Sequence, residues 1–258
     1  MTSITADLAT TTQPLKDRVA VVTGASSGIG AATARLLVAR GAKVALLARR
    51  ADRLEALAAE LGHHALAVPV DLTDAGAVEA AAALIAEELG SVDLVVNSAG
   101  VMVFDPAEGR AENWRRQIDI NLTAQLGLVD LFVPALLAAA GEGRTVDLFN
   151  VSSVASRQVF PGFAVYNATK AALNHFSRTI RAELAPKHVR VTTVEPGFVA
   201  TELQGTISDP NVTAWVEQQR EAFKFLEAED VAEIIAFAAA LPREVNIPEL
   251  TVMPTRQV

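Results

Sequence analysis

The chain has 258 residues, of which 51% are apolar, and its formal net charge is −8. This length and composition fit one large α/β domain with a sizeable core. The acidic balance disfavours nonspecific binding to nucleic acid, because phosphate binding needs a concentrated basic surface. Because the sequence contains no cysteine, it can form neither a disulfide framework nor a thiolate metal site, and we expect a cytoplasmic protein.

The amino-terminal residues differ in character from the rest of the chain. Residues 1–14 are rich in threonine and lack the basic and apolar regions of a signal peptide, so we predict a disordered leader there and one domain over residues 15–258. Alanine-rich stretches elsewhere are interrupted by Glu, Asp or Gly. The pattern therefore predicts no membrane-spanning segment and no membrane partner.

Apolar runs of strand length alternate with longer helical patterns along the chain. This alternation predicts an α/β fold in which a single doubly wound (Rossmann) parallel sheet of about seven strands carries helices on both faces. The predicted strands are Arg18–Thr23, Lys43–Ala48, Ala65–Val70, Val92–Asn97, Thr145–Val151, Val189–Glu195 and Glu249–Met253. The predicted helices are Gly28–Arg40, Asp52–Leu61, Ala75–Leu89, Ala111–Ala140, Phe163–Leu184 and Glu229–Leu241.

Residues 202–228 break this alternation, because turn-forming residues are mixed with Trp215, Phe223 and Phe225. We interpret the segment as a mobile lid over a substrate site. The alternative is a pair of surface helices without a gating role.

A glycine-rich turn connects the first strand to the first helix, with glycines at positions 24, 28 and 30. Glycine permits a tight turn and a close approach of a pyrophosphate, whose charge the free N–H groups and the helix dipole stabilise. At this position the pattern predicts a dinucleotide site. Its predicted contacts are Gly24, Ser26, Ser27, Gly28, Ile29 and Gly30.

Arg49 and Arg50 lie about twenty residues after this turn, where NAD-binding proteins usually carry an acidic residue for the ribose 2′-hydroxyl. A guanidinium pairs well with a 2′-phosphate instead. We therefore predict NADP(H) as the cofactor in preference to NAD(H). The alternative is that both arginines simply face solvent.

Several motifs together resemble the short-chain dehydrogenase/reductase family over residues 15 to 255. They are the glycine turn, Asn97-Ser98-Ala99-Gly100, Ser153, Tyr166-Asn-Ala-Thr-Lys170 and Pro196-Gly197. The family usually has Asn-Asn-Ala-Gly in the second motif, so Ser98 is a departure, from which we expect little effect on the chemistry.

The resemblance implies a role for each matching residue. Asp71 would contact the adenine, and Asn121 would help to hold a water-linked proton relay, unless it only bends its helix. The remaining cofactor contacts implied are Asn97, Ala99, Gly100, Tyr166, Lys170, Pro196, Gly197, Val199 and Thr201.

The implied catalytic residues are Ser153, Tyr166, Lys170 and Asn121. Tyr166 and Lys170 are four residues apart on a predicted helix, so their side chains point the same way. Hydride transfer to a carbonyl creates an alkoxide that needs a proton, which Tyr166 can donate while Ser153 polarises the carbonyl. We expect Lys170, together with an oxidised nicotinamide, to lower the pKa of Tyr166 from about 10.

None of the four histidines has a convincing catalytic setting, and His63-His64 lacks a carboxylate at useful spacing. We therefore expect no metal ion.

The candidate substrate pocket is mostly apolar, which favours a small, moderately hydrophobic ketone, aldehyde or alcohol. Its candidate residues are Val103, Phe104, Val154, Phe160, Phe163, Phe198 and the segment Leu203–Phe225. The resemblance also implies a homo-oligomer, a tetramer or a dimer, because in this family the helices from about Ala111 and Phe163 form the interface, and here they carry extra apolar residues. These apolar residues are Leu126, Leu131, Phe132, Phe176 and Ile180.

Two other functions stay open at this point. One is an NAD-dependent alcohol dehydrogenase of the same family, and the other is a regulator that senses NADP(H) without turnover.

Overall fold

A computed structural model describes residues 14–108, 110–203 and 209–257 of the chain. Within this part, seven parallel strands form one sheet in the order β3-β2-β1-β4-β5-β6-β7. The predicted doubly wound parallel sheet is confirmed. The strands are β1 Val19–Thr23, β2 Lys43–Ala48, β3 Ala65–Pro69, β4 Leu94–Asn97, β5 Asp147–Val151, β6 Arg190–Pro196 and β7 Glu249–Val252.

Helices cover both faces of the sheet. Those described are α1 Gly28–Ala39, α2 Ala51–Leu61, α3 Ala75–Glu88, α4 Ala111–Ile118, α5 Ala124–Gly141, α6 Ala164–Leu184, α7 Pro210–Ala222 and α8 Ala228–Ala239. Apolar side chains of α1, α2 and α8 pack into one core layer, and those of α3, α5 and the end of α6 pack into a second. Strands that are buried on both faces explain why most strand segments read as continuous apolar runs.

The helix predicted over Ala111–Ala140 is not uniform. Residues Asp119–Thr123 form a π-helical turn between α4 and α5, so the segment contains two α-helices joined by a wider turn. Such turns occur mostly as single insertions, and frequently at functional sites. The other predicted elements agree with the structure to within two residues at each end.

One stretch of helix contradicts our reading of the apolar runs. The continuous helical segment Ala111–Gly141 is long and apolar enough to cross a membrane, by length and composition only. Asp130 is its single charged residue after position 123, so the interruptions we relied on are too few. One such helix is weak evidence for a membrane protein, and its residues Leu128, Phe132 and Leu136 are buried in the core beside the sheet.

A network of buried charges lies at the amino-terminal ends of the four central strands. Arg18 donates to Asp93 at 2.7 Å and to Asp147 at 2.9 Å, and Arg190 donates to both oxygens of Asp147 at 2.7 and 2.8 Å. Arg144 reaches Asp93 from the neighbouring loop at 3.0 Å. Because these residues stand immediately before or at the start of β1, β4, β5 and β6, the network fixes the relative positions of these strands.

Removing the Asp147 carboxylate should be costly, because buried Arg190 loses its carboxylate partner and Arg18 keeps only Asp93. We expect Asp147→Asn to lower the free energy of unfolding by about 3 kcal/mol or more, measured by urea denaturation. The control is Glu60→Gln, which breaks an exposed pair with Arg35 and should cost less than about 1 kcal/mol. Equal losses in the two variants would contradict a stabilising role for the network.

Candidate active site

The order of the strands creates a crevice at the carboxyl edge of the sheet. The chain runs outward from β1 to β3 and then returns to the other side of β1 with β4. The loops after these two strands therefore diverge, which is where dinucleotides bind in sheets of this kind. The glycine turn leaves β1 here and leads into α1.

Two glycines of this turn are required by the packing of the backbone. Gly24 has φ of 69°, and a Cβ there would lie 3.0 Å from the Cα of Ala99. A Cβ on Gly30 would lie 2.5 Å from the carbonyl oxygen of Gly24. A side chain at Gly24 would push the turn away from the loop after β4. A side chain at Gly30 would push the turn away from α1.

A cleft of about 380 Å³ opens above the crevice. With one exception, the residues predicted to contact a cofactor line it. They are Gly24, Ser26, Ser27, Gly28, Ile29, Gly30, Arg49, Arg50, Asp71, Ala99, Gly100, Tyr166, Lys170, Pro196, Gly197, Val199 and Thr201.

The exception is Asn97, which is fully buried in the sheet. Its side chain donates to the Oδ1 of Asn150 on β5 at 3.0 Å, and Asn150 in turn donates to Ser177 of α6 at 2.9 Å. Asn97 therefore connects neighbouring elements beneath the cleft and does not line it. Ser98 lines the cleft in its place.

The charged rim of the cleft contains an ion-pair cluster. Arg50 donates to Ser26 at 2.9 Å, to Ser27 at 2.7 Å and to Glu202 at 2.8 Å. Arg53 also donates to Glu202, at 2.6 Å. Hydrogen bonds from the two arginines lower the pKa of Glu202 to about 2, so this exposed carboxylate is charged at neutral pH.

Asp71 follows β3, which pairs with β2, so it lines the cleft on the same side as Arg49. Its Oδ1 accepts from the backbone N–H of Thr73 at 3.0 Å and from the Thr73 hydroxyl at 2.8 Å. These bonds lower the pKa of Asp71, and the nearby positive charge of Arg49 lowers it further. The carboxylate is thereby held in one orientation at the rim.

Three of the four proposed catalytic residues, Ser153, Tyr166 and Lys170, meet at the floor of the cleft. Ser153 follows β5, and its Oγ accepts from the N–H of Ala155 at 3.1 Å, which fixes the hydroxyl at the start of a short 3₁₀ turn. Tyr166 and Lys170 lie on the same face of α6 and are both buried. The Lys170 ammonium donates to the carbonyl of Val151 at 2.9 Å and lies 5.8 Å from the centre of the Tyr166 ring.

Burial of Tyr166 acts against the lowering of its pKa that we expect from Lys170 together with an oxidised nicotinamide. Burial raises this pKa to about 12, and the hydrogen bond with Ser153 opposes this only in part. Burial also lowers the pKa of Lys170 to about 8. Both shifts have the same cause, because desolvation penalises the charged form of each group.

The neighbouring serine has a different environment. Ser152 is buried, and its hydroxyl donates to the backbone carbonyl of Lys170 at 3.2 Å. That bond ties the end of β5 to α6, which agrees with our preference for Ser153 as the reactive serine.

Asn121 lies in the π-helical turn and is completely buried. Its Oδ1 accepts from the N–H of Val101 at 2.8 Å, and its Nδ2 donates to the carbonyl of Val101 at 2.8 Å. Both ends of the amide are therefore used to hold the loop after β4. The relay role of Asn121 stays a prediction.

A second, smaller cavity of about 90 Å³ adjoins the cleft and shares Ser153, Tyr166, Gly197 and Leu203 with it. Most of the pocket candidates line this cavity, which is completed from helix α7. The lining comprises Met102, Val154, Ala155, Phe160, Phe163, Asn167, Phe198, Trp215, Val216 and Gln257 in addition to the shared residues.

Two candidates lie behind this wall. Phe104 packs edge-on against Phe163, with ring centroids 5.5 Å apart, and Val103 bonds through its N–H to Gln117 at 3.1 Å. Neither lines the cavity. Phe223 and Phe225 are buried against Phe198, at 5.8 and 4.9 Å between ring centroids, and support it from the far side.

Gln257 is a lining residue that the sequence did not single out. Its Oε1 accepts from the N–H of Phe198 at 2.9 Å, so the carboxyl-terminal segment holds the turn after β6. The only signal in the sequence was the polar ending Thr255-Arg256-Gln257, which gives no indication of where it folds back.

Metal-binding groups are not found in the part of the chain that is described: no set of three His, Asp or Glu side chains converges there. His63 and His64 stack on each other after α2, with ring centroids 4.0 Å apart. Our expectation that no metal is bound stays a prediction.

Comparison with known proteins assigns the fold and site to a family. A model described as short chain dehydrogenase matches residues 18–212. The chain is 38% identical to a serine 3-dehydrogenase of Agrobacterium fabrum, over 92% of this chain and 94% of that protein. The chain belongs to the short-chain dehydrogenase family.

Further relatives differ in the share of their length that this chain covers. Glycine betaine reductase ATRR of Emericella nidulans is 41% identical over 93% of this chain, which spans 19% of that protein's length. A solved structure, the closed form of serine dehydrogenase complexed with NADP⁺, has a TM-score of 0.86 and 31% identity and covers 93% of this chain. The chain is thus an oxidoreductase of the short-chain dehydrogenase family, and its fold recurs both as a whole protein and within a much longer one.

The burial of Lys170 predicts a pH dependence of stability. Its folded pKa of about 8 lies below the ordinary value of 10.5, so above pH 8 the unfolded chain holds more protons than the folded one. We expect the Lys170 contribution to the free energy of unfolding to increase by about 2 kcal/mol between pH 8 and pH 10. Urea denaturation of the cofactor-free protein and of Lys170→Met, compared across this range, isolates the contribution, and parallel curves would contradict it.

Proposed function

We propose that this short-chain dehydrogenase interconverts a ketone or aldehyde with an alcohol by using NADP(H), and that Tyr166 is its general acid and base. The observation that carries the proposal is the position of Ser153 and Tyr166 at the junction of the two cavities. A carbonyl group in the smaller cavity would reach both hydroxyls while a dinucleotide fills the larger one.

NADP(H) would supply or accept the hydride. The chain's own residues would bind and orient this cofactor. The glycine turn offers free N–H groups for the pyrophosphate. Val199, Thr201 and the Pro196-Gly197 turn line the far end of the cleft, where we assign the contacts to the nicotinamide carboxamide.

The chemistry at Tyr166 follows from its protonation state. A pKa of about 12 keeps the phenol protonated at neutral pH, so it is ready to donate a proton to the oxygen of a carbonyl substrate. Ser153 would polarise that oxygen. For the oxidation of an alcohol, the positive charges of Lys170 and of the oxidised cofactor would favour the phenolate, and the turn around Asn121 would lead the proton away.

The charged rim supports the preference for NADP(H). Arg49 is exposed above the cleft, and Arg50 already holds two serine hydroxyls of the glycine turn. Both are suited to a 2′-phosphate. The solved serine dehydrogenase structure is complexed with NADP⁺, which supports the same choice.

The smaller cavity favours a neutral, moderately hydrophobic substrate. Its walls include Phe160, Phe198 and Trp215, and no lysine or arginine is among the described residues that line it. A substrate with a free carboxylate would need a cationic partner there. We therefore assign this chain a different substrate class from that named for the serine 3-dehydrogenases.

We further propose one dehydrogenase domain over residues 15–258, in which the segment 202–228 covers the substrate. In support, Leu203, Trp215 and Val216 line the smaller cavity, although residues 204–208 lie outside the described part. A cytoplasmic homotetramer or homodimer remains our expectation. Leu126, Leu131, Phe176 and Ile180 are half-buried on the candidate contact helices, whereas Phe132 belongs to the core.

The acid–base role of Tyr166 predicts a specific loss. We expect Tyr166→Phe to reduce turnover about 10²- to 10⁴-fold, because only the proton donor is removed, while NADPH binding changes less than threefold. The assay follows NADPH absorbance with neutral aryl and alkyl ketones and aldehydes, and with L-serine and NADP⁺ in the opposite direction. Retained turnover in the variant would contradict the role, and tight NADPH binding without any turnover by the parent would favour the sensor.

The role of Arg49 predicts a selective change in cofactor affinity. We expect Arg49→Asp to weaken NADPH at least about tenfold, because a charge-assisted contact is replaced by repulsion, and NADH no more than threefold. Fluorescence titration of each reduced cofactor measures both values. Equal weakening of both cofactors would show that the assignment of Arg49 to the 2′-phosphate is wrong.

A further inference from the structure

The rim of the cofactor cleft contains an anion site that the chain fills with its own carboxylate. Both side-chain oxygens of Glu202 are held: Oε1 accepts from Arg53, and Oε2 accepts from Arg50 at 2.8 Å and from Arg53 at 2.9 Å. These arginines belong to the segment that begins α2, whereas Glu202 follows β6 on the other side of the cleft. The carboxylate thus bridges the two sides.

The donors around Glu202 suit a phosphate at least as well as a carboxylate. Arg50 uses its Nε and Nη2 on the hydroxyls of Ser26 and Ser27, which fixes the plane of its guanidinium. Its Nη1 is the donor that points to Glu202. Arg53, one helical turn after Arg50, presents a second guanidinium to the same point, and two arginines with nearby hydroxyls form a typical phosphate site.

We propose that Glu202 occupies the position of the 2′-phosphate of NADP(H) and competes with it for Arg50 and Arg53. This inference rests on the proposed function, since it presupposes a 2′-phosphorylated dinucleotide in the cleft. It adds Arg53 to the residues that select the cofactor. It also makes Glu202 a residue that limits the affinity for NADP(H) without affecting NAD(H) to the same degree.

The size of the effect follows from the exposure of the pair. The side chains of Arg50, Arg53 and Glu202 are 40%, 42% and 54% exposed, and exposed pairs contribute little because solvent screens them. A phosphate must therefore overcome only a weak competitor. We expect removal of the Glu202 charge to improve NADPH affinity about three- to fivefold.

The test compares ligands with and without the 2′-phosphate. Dissociation constants are measured by calorimetry for NADPH, NADH, adenosine 2′,5′-bisphosphate and AMP, with the parent and with Glu202→Gln. We expect the variant to bind the two 2′-phosphorylated ligands about three- to fivefold more tightly. NADH and AMP should change less than twofold.

Two further variants separate direct competition from a general change of charge. Glu202→Asp keeps the charge but shortens the side chain, so direct competition predicts tighter NADPH binding here too. Glu60→Gln removes an equally exposed carboxylate, paired with Arg35 away from the cleft, and should leave all four constants unchanged. Equal gains for NADH and NADPH, or an unchanged Glu202→Asp, would attribute the effect to long-range charge and overturn the proposal.

An opposite result also has a clear meaning. Weaker binding of both dinucleotides by Glu202→Gln would show that the bridge closes over the cofactor, and it would overturn competition. If the parent binds neither dinucleotide, the proposed function itself fails, which distinguishes that failure from a failure of the inference about Glu202.

Discussion

The structure depends on keeping four central parallel strands in register while their carboxyl ends remain free to carry chemistry. The buried network of Arg18, Asp93, Asp147 and Arg190 holds the opposite ends of these strands. Backbone pairing alone tolerates displacement along a strand, but charged groups in a buried setting do not, because any slip leaves one of them unpaired. The fixed edge and the reactive edge of the sheet are therefore separate.

At the carboxyl edge of the sheet, burial determines the properties of the two groups that we propose as catalytic. Tyr166 and Lys170 are both enclosed, so each is shifted toward its neutral form. This arrangement favours a tyrosine that donates a proton over one that is already ionised. It also means that charge brought in from outside the chain has a large effect on this pair, since little solvent is present to screen it.

The sequence was sufficient to predict the doubly wound parallel sheet, the glycine turn and the residues that meet at the cleft. These features depend on local patterns and on the shared direction of parallel strands. The sequence did not predict features that depend on distant contacts. Glu202 lies about 150 residues from Arg50 along the chain, and Gln257 reaches its place only through the fold. The position of Arg53 three residues after Arg50, on the same face of a helix start, was a signal that could have been used.

The aromatic wall of the smaller cavity comes mainly from segments outside the central sheet, with Phe198 and Trp215 following β6 and Phe223 and Phe225 supporting them. The residues for which we propose the hydride and proton chemistry, in contrast, stand at the ends of β1, β4 and β5 and on α6. Substitutions in the first group can therefore reshape what the enzyme accepts while the reaction itself stays intact. For protein engineering, this division identifies a compact stretch of sequence in which a library could diversify selectivity without eroding the fold.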